Sequence, residues 1–111
     1  MKQIQKEVDQ WIQNYGVRYF NEMTNFTILT EEVGEMARYI SRIYGEQSFK
    51  NPEDEITAKN NLKDEMADVL FVLCCLANQM NIDLEDAMKE NMQKKTQRDK
   101  LRHIANEKLK G

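Results

Sequence analysis

The chain has one proline, one histidine and two cysteines in 111 residues. A single proline, in a chain 32% charged and 41% hydrophobic, belongs to a soluble, helix-rich composition rather than a disordered one. The cysteines, Cys74 and Cys75, are adjacent, which makes a poor disulfide pair. No other thiols exist to build a disulfide framework or a zinc site, so both are expected as buried, reduced side chains. The lone histidine, His103, cannot supply the Glu-x-x-His repeats that a di-iron carboxylate site wants. The longest apolar run, Val69 to Ala77, falls far short of the ~20 residues that span a bilayer. No secretory leader is visible either, so the expected location is cytoplasmic, with no membrane partner. A net charge of −3 gives no global attraction to a nucleic-acid polymer.

What the chain does have is charge in the right places. Residues 31–68 carry ten acids and five bases, whereas residues 89–110 carry eight bases and three acids. Apolar residues recur at helical spacing, with no strand-period alternation and no internal repeat. Ile4, Val8, Trp11, Ile12 and Tyr15 predict a first helix over 2–15, with Gly16 as its C′ residue. Residues 16–26 read as a loop, and Thr24 or Thr27 as the cap of a second helix that ends near Tyr44 and Gly45. Asn51-Pro52 followed by acids predicts the start of a third helix, which ends near Met80. Asp83 caps a fourth that runs at least to Arg98. The expected architecture is one domain over 1–111: a small all-α bundle of about four helices, completed by oligomerisation. That last element follows from Val69–Ala77, which is apolar on every side and must be covered all round.

Two pairs of acids stand out. Glu32 and Glu35 are spaced i,i+3 in the second helix, and Glu65 and Asp68 are spaced i,i+3 in the third, so each pair shares a helix face. At about 100° per residue, Glu32 lies about 70° from the centre of the Leu29, Val33, Met36, Ile40 and Ile43 stripe, Glu35 about 130° and Glu31 about 170°. Glu32 and Glu35 therefore flank the core side, and Glu31 points to solvent. Four carboxylates brought together would repel, by roughly 4 kcal/mol per pair at 4 Å and an effective dielectric near 20, and would need a cation. A hard divalent ion with oxygen ligands, such as Mg2+, suits them. In the fourth helix, the stripe begun by Leu84, Ala87 and Met88 continues as Asn91, Lys94, Lys95 and Arg98, groups suited to phosphate oxygens.

Leu29-Thr30-Glu31-Glu32-Val33-Gly34-Glu35, followed by Glu65-Met66-Ala67-Asp68-Val69-Leu70, resembles the signature of the MazG-type nucleotide pyrophosphohydrolases: E-E-x-x-E, a spacer, then E-x-x-D. The likeness runs from about Tyr19 to Arg98. One departure is the spacer between Glu35 and Glu65, which is at or slightly beyond the long end of the family's range, and its extra length is assigned to the loop around 45–57. The resemblance implies an all-α dimer or tetramer that hydrolyses nucleoside triphosphates to a monophosphate and pyrophosphate with magnesium. It implies Glu32, Glu35, Glu65 and Asp68 as metal ligands. It leaves Glu31 open between base and ligand, and assigns Asn91, Lys94 and Arg98 to the phosphates. Two alternatives are a phosphoribosyl-ATP pyrophosphohydrolase-like activity and a non-catalytic helical partner-binding protein.

Overall fold

A computed structural model describes residues 1–111 and holds four α-helices and no strand, as expected. They are α1 (Lys2–Trp11), α2 (Glu22–Ile43), α3 (Pro52–Gln79) and α4 (Leu84–Ile104). One π-helical turn, Ile12–Gly16, prolongs α1, and a 3₁₀ turn, Glu107–Leu109, follows α4.

The helix starts test the local rules. Pro52 opens α3 with three acids in its first turn, and Asp83 caps α4 by accepting from the Asp86 amide at 3.1 Å. The start of α2 differs from expectation. Its cap is Asn21, whose Oδ1 accepts from the Thr24 amide at 2.8 Å, so the helix begins several residues before Thr27. Thr27 instead donates its hydroxyl back to Met23 O within the helix. Gly16 also differs: it lies inside the π turn, and the positive φ of 70° falls on Val17. A β-branched residue is strained there. Bonds from far along the chain hold the following segment in place: the Gln79 amide donates to Phe20 O, and Asn25 Nδ2 donates to Gln79 Oε1 at 2.8 Å.

α2 and α3 form an antiparallel pair across the 44–51 connection. Asn25 meets Gln79 at one end, Glu32 meets Glu65 and Asp68 in the middle, and Tyr39 shares a cavity with Asn61 at the other. The long spacer thus divides between that connection and added turns at the start of α3. α1 crosses the C-terminal half of α3. Val8 and Ile12 pack there on Cys74 and Cys75, which are buried and reduced as expected. Gln5 locks this junction. Its Nε2 donates to Asn78 Oδ1 (3.1 Å) and Ile82 O (2.9 Å), and its Oε1 accepts from the Leu84 amide (2.8 Å). Asn78 in turn donates to Gln5 O and to Tyr19 Oη, which itself donates to Asp9.

Only 11 of the 111 residues are buried, and the radius of gyration is 18.1 Å, against about 13 Å for a compact domain of this length. The chain axis turns by 101° between α3 and α4, and α4 leaves the body with Asp99 as its sole buried residue. The α2 stripe is half uncovered, with Val33 43% and Ile40 41% exposed, and on α3 Leu73 is 40% exposed. No single helix is long and apolar enough to cross a membrane.

Candidate active site

The antiparallel register of α2 and α3 brings three of the singled-out acids to one point. Ligand oxygens of Glu32, Glu65 and Asp68 all lie within 4.8 Å of one another. Glu32 faces α3 because it flanks the apolar side of α2, as helical phase predicts. Asp68 lies about one turn, and Glu65 about two turns, before the buried run of α3 that begins at Val72. The Glu65 carboxyl is pushed up to about 7, first by burial, then by the hydrogen bond it shares with Glu32, then by the charges of Glu32, Asp68 and Glu35. Asp68 is raised as well, by burial and by the charges of Glu32 and Asp64. Every neighbour that perturbs these two groups is another acid. Glu65 Oε2 is shut off from solvent and has no hydrogen-bond partner. A set of converging oxygens with one orphaned atom and no compensating cation fits a hard divalent ion.

The other predicted residues fall into two groups. Glu35 is one turn along α2, exposed and paired with Arg38 at 3.8 Å, so it stands outside the tight trio. Glu31 is exposed on the far side, where phase places it. Asn91, Lys94 and Arg98 lie on the exposed face of α4 and are not brought to the acids of their own chain. The Arg98 guanidinium instead donates to Asp99 Oδ2 at 2.8 and 3.0 Å, and Arg102 approaches the same carboxylate at 3.4 Å.

Two cavities flank the acids along the α2–α3 axis. Toward α1, a cleft of about 300 Å³ is lined by Trp11, Phe20, Ile28, Phe71 and Val72 among others, and is mainly apolar. Trp11 and Phe71 meet edge-on there, with centroids 5.6 Å apart. On the opposite side, a polar cavity of about 350 Å³ is lined by Arg38, Tyr39, Arg42, Phe49, Lys50, Asn51, Asp54 and Asn61. The sequence reading missed these cations. The available signal was the continuation Glu35, Arg38, Arg42 along one helix face.

Fold and site together define an all-helical protein built around a carboxylate cluster. Residues 20–103 match the profile of the MazG nucleotide pyrophosphohydrolase domain. The chain is 44% identical over 102 residues to the uncharacterized protein YpjD of Bacillus subtilis strain 168, covering 92% of this chain and 88% of that one. It also resembles the crystal structure of the Bacillus-conserved MazG protein, a nucleotide pyrophosphohydrolase, with a TM-score of 0.71 and 40% identity over 89% of this chain and 92% of the other. A crystal structure of Bacillus subtilis YpjD gives a TM-score of 0.74 at 41% identity, over 89% and 95% of the two chains. The chain therefore belongs to the MazG nucleotide pyrophosphohydrolase family and is an enzyme of that kind.

Proposed function

We infer that the protein hydrolyses nucleoside triphosphates, deoxy or non-canonical ones included, to a nucleoside monophosphate and pyrophosphate, in a reaction that depends on Mg2+. The observation that carries this reading is the trio Glu32, Glu65 and Asp68, closed on itself with an orphaned oxygen and no internal cation. Magnesium, when bound, would neutralise phosphate charge and make a bound water more acidic. Glu32, Glu65 and Asp68 would hold it, and Glu35 would join them by exchanging its contact with Arg38. One of the ligand carboxylates accepts the proton of the attacking water, since Glu31, the other candidate, is exposed on the far side of α2. The water oxygen bonds to phosphorus, the bridge between the α and β phosphates breaks, and its electron pair leaves with pyrophosphate.

The same reading includes a homo-oligomer, a dimer or tetramer. It is supported by the uncovered stripes at Val33, Ile40 and Leu73 and by the open shape of the single chain. In such an assembly, Asn91, Lys94 and Arg98 of α4 would serve the phosphates at the acids of another copy, because they stand clear of their own. The test is a panel of canonical and modified nucleotides, with phosphoribosyl-ATP included, scored for release of pyrophosphate against orthophosphate. Glu35→Gln and Asp68→Asn should each reduce pyrophosphate release by about a hundredfold or more. Unchanged release in both variants would remove the metal-site assignment.

A further inference from the structure

The antiparallel pair α2–α3 carries three unlike environments in a fixed order. The apolar cleft at Trp11, Phe20 and Phe71 comes first, the acids Glu32, Glu65 and Asp68 second, and the cavity at Arg38, Arg42 and Lys50 third. Both helices contribute to the third. On α2, Arg38 follows Glu35 by one turn, and Arg42 follows by another. On α3, Asn61 precedes Glu65 by one turn. Since a residue advances a helix by about 1.5 Å, Arg38 lies about 9 Å beyond Glu32 along the axis. The cavity sets three cations against one acid, Asp54, so it favours an anion. Of its two aromatic side chains, Tyr39 and Phe49, the first is already engaged, because the Arg38 guanidinium stacks on it at 5.1 Å. Arg38 also reaches Glu35 at 3.8 Å, which joins this cavity directly to the acid site.

A nucleoside triphosphate has the same order: a flat apolar base, the phosphate next to the sugar, then the most anionic end. We propose that the cavity of Arg38, Arg42 and Lys50 receives the β and γ phosphates, the group that leaves as pyrophosphate, and so fixes the direction in which the substrate lies along α2 and α3. This rests on the triphosphate reading of the acid site and adds to it the seat of the leaving group. Arginine forks suit the bridging and terminal oxygens of a pyrophosphate. The 44–51 connection then has a purpose, since it carries Phe49 and Lys50 into the cavity.

The test compares Arg42→Gln and Lys50→Gln with the wild type by calorimetry in magnesium buffer, with inorganic pyrophosphate and a nucleoside monophosphate as separate probes. Lys50 is exposed and has no ion-pair partner, so its substitution leaves the fold intact even where that of Arg42, which donates to Arg38 O, does not. Each substitution should weaken pyrophosphate binding about tenfold, the usual size for one charge-assisted phosphate contact. It should raise the KM for the triphosphate and leave monophosphate affinity within about twofold. Pyrophosphate affinity unchanged in Lys50→Gln overturns the proposal. So does a loss confined to the monophosphate, which would mean the reverse direction, or a wild type that binds no pyrophosphate. The two readings fail separately. A wild type that cleaves no nucleotide, yet binds pyrophosphate through Arg42 and Lys50, sinks the proposed reaction and supports the anion seat. Normal cleavage with unaltered pyrophosphate affinity in both variants does the opposite.

Discussion

Replacing Glu65 with glutamine should stabilise the metal-free protein, an unusual outcome for a residue at the centre of a site. The Glu65 carboxyl is raised from 4.5 to about 7 by burial and by Glu32, Asp68 and Glu35. A rise of that size corresponds to about 3 kcal/mol of penalty on the ionised form. Solvent reaching the exposed Asp68 side of the cluster screens this, and about 1–2 kcal/mol is a fair expectation. The sign follows from proton linkage. A carboxyl raised in the fold binds more protons folded than unfolded between pH 4.5 and about 7, so stability rises as pH falls through that window. At pH 8 in EDTA, and at one protein concentration, Glu65→Gln should melt roughly 3–8 °C above the wild type. Below about pH 4 the difference should vanish, because the Glu65 carboxyl is then mostly neutral both folded and unfolded. Magnesium should reverse the order, because a ligand present at about 100 times its Kd adds about 2.7 kcal/mol to a protein that binds it. Differential scanning calorimetry reads all three conditions. A variant that melts below the wild type at pH 8 in EDTA would refute the argument, because Glu65 would then be held by attraction rather than opposed by repulsion.

Gln5→Ala should cost about 2–3 kcal/mol in urea denaturation, because it strips the bonds to Ile82 O and the Leu84 amide at the α3–α4 turn; a loss under about 0.5 kcal/mol would show water replacing it. Val33→Glu with Leu73→Glu should convert the proposed oligomer to smaller species by light scattering, since both side chains stand on uncovered apolar faces. An unchanged mass would place the subunit interface elsewhere. Self-association measured by sedimentation should tighten in magnesium and loosen in EDTA, and equal dissociation constants would show that the acid site and the interface are independent.

The helices were legible because their signals are local. Pro52, Asp83 and the phase of Glu32 act within one or two turns, and the structure agrees with each. The start of α2 was not. Asn21, Thr24 and Thr27 are all acceptable caps locally, and the choice among them is made by Gln79, which holds Phe20 and Asn25 from far along the chain. The cationic cavity was missed for the same reason. Arg42 and Lys50 read as solvated charge until α3 folds back and sets Asn61 opposite Tyr39. Gln5 looks like an ordinary surface residue of an amphipathic helix. Its burial depends on where the turn after α3 points its free Ile82 carbonyl and Leu84 amide.

The repulsive acids and the uncovered faces are physically one problem. Asp68 sits about one turn, and Glu65 about two turns, before Val72 and Leu73, and Leu73 is still 40% exposed in the single chain. Covering that face with a second copy would bury apolar surface, each large side chain contributing roughly 1.5–3 kcal/mol. The same covering displaces water and strengthens the repulsion among Glu32, Glu65 and Asp68. Without a cation, the proposed assembly would therefore be opposed by the acids of the site. With a divalent ion in place the sign reverses, because lower dielectric then strengthens ion–carboxylate attraction. In the proposed oligomer, binding of the ion and of the second copy would favour each other to an equal extent, since linkage between two binding equilibria is reciprocal. An open chain with an overcharged centre is on this view a half-site, whose acids and apolar stripes are balanced only when ion and partner arrive together.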